Sequence, residues 1–194
     1  MIMTWNIDSA HSSVEFSAKH MMISTVRGRF TEFTGTVNLD EKDLTRSSVA
    51  WTLQAASLTT GNEQRDGHLR SGDFLEAETY PTITFKSTRV ERAGADRYTI
   101  YGDLTIKDVT REVSFQATDE GQGKDPWGNT HWGFTVTGTL NRKEFGLNWN
   151  VALETGGVLV GEQIKIALDV ELVAVPAPVA AEVAEQEAVA APVA

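Results

Sequence analysis

The sequence predicts an all-β protein of about eight strands, and three observations lead to this prediction. Apolar and polar residues alternate along most of the chain, no segment has the pattern of a long helix, and interruptions coincide with glycine and proline. A period of two residues is typical of half-buried strands. Because no helix can cover their apolar faces, the strands are expected to pack those faces against one another, as a closed barrel or a sandwich.

The alternation predicts the individual strands in chain order. Residues 27–40 are expected to form one long bent strand, in which a bulge brings both Phe30 and Phe33 to the inside. The other strands each have one apolar face, and these faces are Val14, Phe16 and Ala18; Val49, Trp51 and Leu53; Ile83 and Phe85; Tyr98, Ile100, Leu104 and Ile106; Val113, Phe115 and Ala117; Phe134, Val136 and Leu140; and Ile164, Ile166, Leu168, Val170 and Leu172.

Three segments depart from the strand pattern. Thr60 and Glu63 fit a capping box, which predicts a short helix over about 62–70 with Thr60 as its N-cap. Four glycine and proline residues predict a loop or a wide hairpin turn over 120–129. Residues 174–194 contain alanine, valine, proline, glutamate and one glutamine, which is typical of a disordered tail. The predicted organisation is therefore one domain over 1–173 and a tail over 174–194.

Glycines also occur inside the predicted strands, at Gly28, Gly35, Gly102, Gly133 and Gly138. Glycine in a strand often marks a bend or a close approach of another group. We interpret these positions as points where the sheet curves, with room for a ligand against the wall as the alternative.

Composition excludes several classes of protein. The formal charge is −10, so the electrostatic attraction that dominates nucleic-acid binding is missing. Anionic membranes are expected to repel the chain on average, although a local basic patch could override this. There is no cysteine, which excludes disulfides and thiolate chemistry. The sequence shows neither a signal peptide nor an apolar run long enough to span a membrane, and we therefore expect a cytoplasmic location.

Motifs for catalysis, metals and nucleotides are absent from the sequence. The four histidines are His11, His20, His68 and His131, and none has the local spacing of a zinc site. No Gly-x-Ser-x-Gly, Gly-x-Gly-x-x-Gly or Walker motif occurs. We therefore predict no metal, no cofactor and no catalytic residue.

The densest polar cluster lies on the predicted helix and just beyond it, at Arg65, Asp66, His68, Arg70 and Asp73. One interpretation is a network that ties the helix to the end of the barrel. The other is a polar rim that meets the head group of a ligand, because arginine suits phosphate and other anions. Weaker candidates of the same kind lie near presumed strand ends, at Arg27, Lys107 and Arg142, and the stretch 142–161 that follows is irregular.

Six sequence blocks carry a further signal, and they are 5–16 (WNIDSAHSSVEF), 26–30 (VRGRF), 61–75 (GNEQRDGHLRSGDFL), 80–87 (YPTITFKS), 102–110 (GDLTIKDVT) and 141–146 (NRKEFG). Together these blocks resemble the YceI-like family of bacterial proteins. The match covers about residues 4–173, with the blocks in the expected order.

The resemblance implies a lipocalin-like, extended eight-stranded antiparallel barrel. It also implies an interior that takes a long-chain amphipathic lipid, notably a polyisoprenoid, with quinones or fatty amides as alternatives. Many family members are periplasmic, and a homodimer is compatible with the family. The chain departs from the family pattern in lacking an export signal and in having the acidic tail.

These observations predict a protein that carries or sequesters such a lipid. The head group is expected to lie near Arg65, His68 and Arg70. The apolar chain is expected to contact Phe16, Phe30, Trp51, Phe85, Ile100, Phe115 and Phe134. Two alternatives remain open. One is an enzyme that acts on a hydrophobic substrate through the Arg65, His68 and Arg70 cluster, and the other is a filled, ligand-free barrel that acts in stress or assembly. Periodicity alone does not distinguish a hollow barrel from a filled one.

Overall fold

The computed structural model describes residues 3–154 and 156–176, which form eleven strand segments and one α-helix. The helix α1 is Glu63–Arg70. The strands are β1 Met3–Ile7, β2 Ser13–His20, β3 Ser24–Phe30, β4 Phe33–Asn38, β5 Ser48–Gln54, β6 Leu58–Thr59, β7 Thr82–Arg92, β8 Arg97–Ile106, β9 Val109–Lys124, β10 Thr130–Asn141 and β11 Val160–Pro176.

The eleven segments make up the eight antiparallel strands of the barrel, because three of these eight strands are each interrupted once. β1 and β2 pair with the same edge of β11, on either side of a turn at 8–12. β3 and β4 are separated by Thr31 and Glu32, and β5 and β6 by a short 3-10 turn, Ala55–Ser57. β1 pairs with β4 as well as with β11, and this closes the barrel. The predicted lipocalin-like, eight-stranded barrel with one short helix is confirmed.

The ends of the barrel differ in what covers them. At one end lie α1, the β2–β3 hairpin, the β8–β9 turn and the long β10–β11 connection, and we call this the helix end. At the other end lie the β4–β5, β7–β8 and β9–β10 turns. No helix in the described part of the chain is long and apolar enough to cross a membrane.

Several local predictions need correction. The N-cap of α1 is Asn62 rather than Thr60, because the Asn62 side chain accepts a hydrogen bond from the backbone N–H of Arg65. The predicted loop over 120–129 is shorter, since β9 continues to Lys124. The strand β11 runs to Pro176, so it takes in the first three residues assigned to the tail. The rest of that predicted tail lies outside the described residues.

Candidate ligand-binding cavity

An apolar cavity of about 360 Å³ occupies the barrel interior. It reaches from Leu69 of α1 at the helix end to Leu44 in the β4–β5 connection at the other end. Its wall is built from the inward positions of the strands, which alternate with exposed outward positions as the two-residue period requires. The volume lies within the roughly 300–1,000 Å³ that is typical of small-molecule sites.

The barrel is hollow rather than filled. Buried apolar side chains form two clusters, one around Phe145 and Leu140 and the other around Trp132 and Leu172. Between and beside them, Phe16, Phe30, Phe85, Phe134 and Ile166 face inward but are only partly buried, because they border the cavity. A filled core would bury these side chains completely.

Glycines hold three of the phenylalanine rings flat against the barrel wall. A Cβ added to Gly28, Gly102 or Gly138 would come within 2.5 Å of an atom of the Phe16, Phe85 or Phe115 ring respectively. The absence of a side chain therefore lets each ring lie across a neighbouring strand instead of pointing into the lumen. Gly28, Gly102 and Gly138 therefore allow aromatic rings to pack closely on the sheet. The predicted role of these glycines in sheet curvature does not by itself explain this packing.

Cationic groups occur in this wall only near the helix end, within the described residues. Lys19, His20, Arg65 and Arg142 border the cavity there, with Lys19 at an exposed, outward position of β2. Arg142 is 3% exposed and donates hydrogen bonds to the carbonyl oxygens of Leu147, Gly161 and Val160, the last two at 3.1 and 3.3 Å. Burial lowers the pKa of Arg142, and the charge of Glu162 opposes this change.

No carboxylate lies within ion-pair distance of Arg142 among the described residues. The carbonyl oxygens accept hydrogen bonds from the buried guanidinium, but they carry no formal negative charge to pair with its positive charge. The structure thus adds a cation at the cavity that the sequence suggested only weakly. The sequence feature that pointed to Arg142 was its position directly after a strand, at the start of an irregular connection.

The polar cluster of α1 is largely a hydrogen-bonded network that fixes the helix to the barrel. Asp66 is 2% exposed and accepts hydrogen bonds from the Thr59 hydroxyl and from the backbone and hydroxyl groups of Thr60. Burial alone would raise the pKa of Asp66, but these hydrogen bonds and the charge of Arg70 outweigh it and hold the pKa below its usual range. Arg65 donates to the Thr60 hydroxyl at 2.7 Å and to the Thr60 carbonyl at 3.1 Å.

The three predicted head-group residues occupy different environments. Arg65 borders the cavity, whereas His68 and Arg70 are not among its lining residues. His68 lies 2.8 Å from Asp73 and packs edge-on against the rings of Trp149 and Phe74. Arg70 donates to the carbonyl of Leu58 at 2.7 Å, beneath the helix. All seven predicted apolar contact residues border the cavity. A ligand-binding role for any of these ten residues stays a prediction.

Folding also brings together groups that are distant in sequence. Asp8, His11 and Glu171 offer three possible ligand atoms within 4.8 Å of one another, outside the cavity. The hydrogen bond with Asp8 raises the pKa of His11, and the same bond lowers the pKa of Asp8. His131 approaches Glu171 to 2.7 Å from the other side. These carboxylate–histidine contacts account for the cluster, which sequence spacing did not reveal.

A closed antiparallel barrel with an apolar cavity and a few polar groups at one end defines a lipocalin-like protein. The chain belongs to the YceI-like domain family, whose model matches residues 5–172. The predicted family is thereby confirmed.

Individual relatives agree with this assignment. A UPF0312 protein of Staphylococcus aureus (strain USA300) is 40% identical over 168 residues, which cover 86% of this chain and 95% of the relative. The crystal structure of Burkholderia cenocepacia BcnA has a TM-score of 0.73 at 25% identity, covering 86% and 99% of the two chains. A polyisoprenoid-binding domain from Saccharophagus degradans has a TM-score of 0.64 at 13% identity, covering 88% and 98%, and it shows the shared fold.

Proposed function

We propose that this protein binds a long-chain amphipathic lipid, with a polyisoprenoid as the favoured class, and carries or sequesters it inside the barrel. The observation that carries the proposal is the cavity of about 360 Å³, whose wall is almost entirely apolar. Membership of the YceI-like family supports the proposal, as does the fold shared with a polyisoprenoid-binding domain.

The driving force would be the transfer of an apolar chain out of water. Each buried methylene contributes about 0.8 kcal/mol, against a loss of translational and rotational freedom of about 4–15 kcal/mol. Short chains therefore bind weakly and long chains bind well. The cavity runs along the barrel from the helix end to the β4–β5 connection, so an extended chain can lie along it.

The polar head would lie at the helix end, because the cations that border the cavity are there. Arg65 and Arg142 offer guanidinium groups to an oxygen-rich or anionic head group. His68, which contacts Asp73, and Arg70, which donates to the Leu58 carbonyl, lie on the same helix and would contribute without bordering the cavity. Binding rather than catalysis is the favoured activity. The proposed location is the cytoplasm, which cell fractionation would test.

A series of prenyl alcohols of increasing chain length tests the proposal, with affinity measured by displacement of a fluorescent apolar probe. We expect the Kd to fall about fourfold for each added methylene equivalent, and then to reach a plateau when the cavity is full. Saturated alcohols of matched length serve as a comparison for isoprenoid preference. An affinity that does not change with chain length, or an absence of probe binding at any concentration, would overturn the proposal.

A further inference from the structure

The hairpin between β2 and β3 presents exposed apolar side chains at the helix end of the barrel. Met21, Met22 and Ile23 are 39%, 59% and 81% exposed, which is unusual for large apolar side chains at a tip of three residues. Met21 and Met22 both have positive φ, at 51° and 64°, in a turn that ordinarily takes asparagine or glycine. The sequence thus places two methionines where smaller or polar residues would fit the backbone better.

A fourth apolar side chain extends this surface. The Met21 N–H donates to the Leu159 carbonyl, and the Leu159 N–H donates to the carbonyl of Val151, which is 46% exposed. We call Met21, Met22, Ile23 and Val151 the apolar tip. It lies beside the cavity, since His20 and Val26, which flank the hairpin, both border the lumen.

A basic surface continues from the apolar tip down the outer wall. Lys165 of β11, Ser17 of β2 and Arg27 of β3 are in register, so the two cations lie in one row across the sheet. Lys19 lies one outward position nearer the hairpin. We call Lys19, Arg27 and Lys165 the basic face. All three are exposed, and none has an ion-pair partner among the described residues.

The acidic groups near this surface leave the basic face unpaired. Glu154 is exposed in the β10–β11 connection, and among the described residues it forms no ion pair with the basic face. Glu162 is engaged by Lys143 at 2.5 Å, and Glu15 lies opposite Arg29, further from the tip. An unpaired basic row is notable in a chain whose formal charge is −10. It gives a local exception to the repulsion that the whole protein would otherwise experience at an anionic surface.

We propose that the apolar tip and the basic face form a docking surface for a lipid bilayer that contains anionic lipids. The tip would enter the headgroup region while the basic face meets the phosphates, which is the combination of apolar burial and electrostatic attraction that holds peripheral proteins at membranes. This proposal rests on the proposed function, because docking at this end brings the cavity to the surface from which a lipid would be taken or to which it would be delivered.

A second copy of the chain fits this surface less well. Four partly exposed side chains fall short of the roughly 800 Å² per partner that a stable interface buries. A symmetric pairing would also bring two unpaired basic faces close together, which is unfavourable.

Binding to vesicles tests the proposal. The full chain is sedimented with vesicles of phosphatidylcholine alone and of phosphatidylcholine with about a quarter phosphatidylglycerol. We expect binding to the anionic vesicles that weakens with added salt. Ile23→Ser should weaken it by about tenfold, and Arg27→Glu or Lys165→Glu by about fivefold or more.

Matched controls come from the opposite end. Trp127→Ser removes an apolar side chain that is 85% exposed, and Lys124→Glu reverses a nearby exposed charge. Both variants should bind vesicles as the original chain does. Equal losses at both ends, or no binding of the original chain to any vesicle, would overturn the proposal. A dimer in sedimentation velocity that Ile23→Ser dissociates would overturn it in favour of a second copy.

Loading of lipid without a bilayer separates the two proposals. Each variant is mixed with a prenyl alcohol diluted from solvent, and its bound mass is measured. If the original chain loads lipid but binds no vesicle, docking is wrong and the carrier function stands. If it binds anionic vesicles through the tip but never loads lipid, the carrier function is wrong and only the docking surface stands.

Discussion

The rings that lie flat against glycines provide a direct way to narrow the cavity. In Gly138→Ala, the new Cβ would lie 2.4 Å from Cδ1 of Phe115 and 2.9 Å from its Cε1. Carbon atoms approach to about 3.5 Å at optimum, so the ring must move by about 1 Å. The wall lies behind it, and the ring therefore moves towards the lumen.

The expected magnitude follows from the space that the ring takes. If the displaced ring excludes one or two methylenes of ligand, the Kd for a long prenyl alcohol rises about 4-fold to 15-fold. Overpacking also lowers the free energy of unfolding by about 1–3 kcal/mol. Probe displacement measures the first effect and urea unfolding the second.

Gly133→Ala is the matched control, since it makes the same change in the same strand, β10. Its Cβ would meet only the Glu120 side chain, at an ordinary distance of 3.5 Å. It should leave the affinity unchanged. If Gly138→Ala binds the ligand as tightly as Gly133→Ala does, the ring of Phe115 does not border the space that the ligand occupies, and the assignment of the interior is refuted.

Three further predictions concern the wall and the helix. An ionised carboxylate placed in the apolar wall, by Phe85→Asp or Trp51→Asp, should weaken lipid binding more than about 100-fold. Lys86→Asp, on the outside of the barrel, should leave lipid binding unchanged. A folded Phe85→Asp variant that still loads lipid contradicts the assignment of Phe85 to the interior. Asn62→Ala removes the N-cap of α1 and should cost about 1 kcal/mol in urea unfolding. Asp66→Asn should destabilise the protein at neutral pH, because folding lowers the pKa of Asp66. The stabilising contribution of the ionised carboxylate is present above the ordinary aspartate pKa and is lost as the pH falls through the folded pKa, so the free energies of unfolding of the two proteins should converge in acid. A difference in the free energy of unfolding that stays constant with pH would contradict this.

The sequence predicted the barrel and the apolar part of the cavity wall well. A period of two residues determines which side of a strand each residue faces, and this placed Phe16, Phe85 and Phe134 correctly on the inside. It does not determine which residues lie opposite one another. The glycine beneath the Phe85 or Phe115 ring depends on the register between strands, which became visible only in the fold.

The polar end of the cavity was harder to predict, because irregular segments have no period. Arg65 borders the cavity and His68 does not, although both lie on a single short helix. Arg142 reaches the lumen because the carbonyl groups of the β10–β11 connection fold around it. The N-cap was misplaced for a similar reason, since Thr60 has a second role as a donor to Asp66.

The central claim is that the hollow interior holds a long-chain lipid. Native mass spectrometry of the protein, purified without detergent and then incubated with a polyprenyl alcohol, tests this claim most directly. We expect a discrete added mass of one lipid per chain, which organic extraction recovers and which Phe85→Asp prevents. A mass that stays bare after incubation with polyprenyl alcohols and quinones would contradict the account.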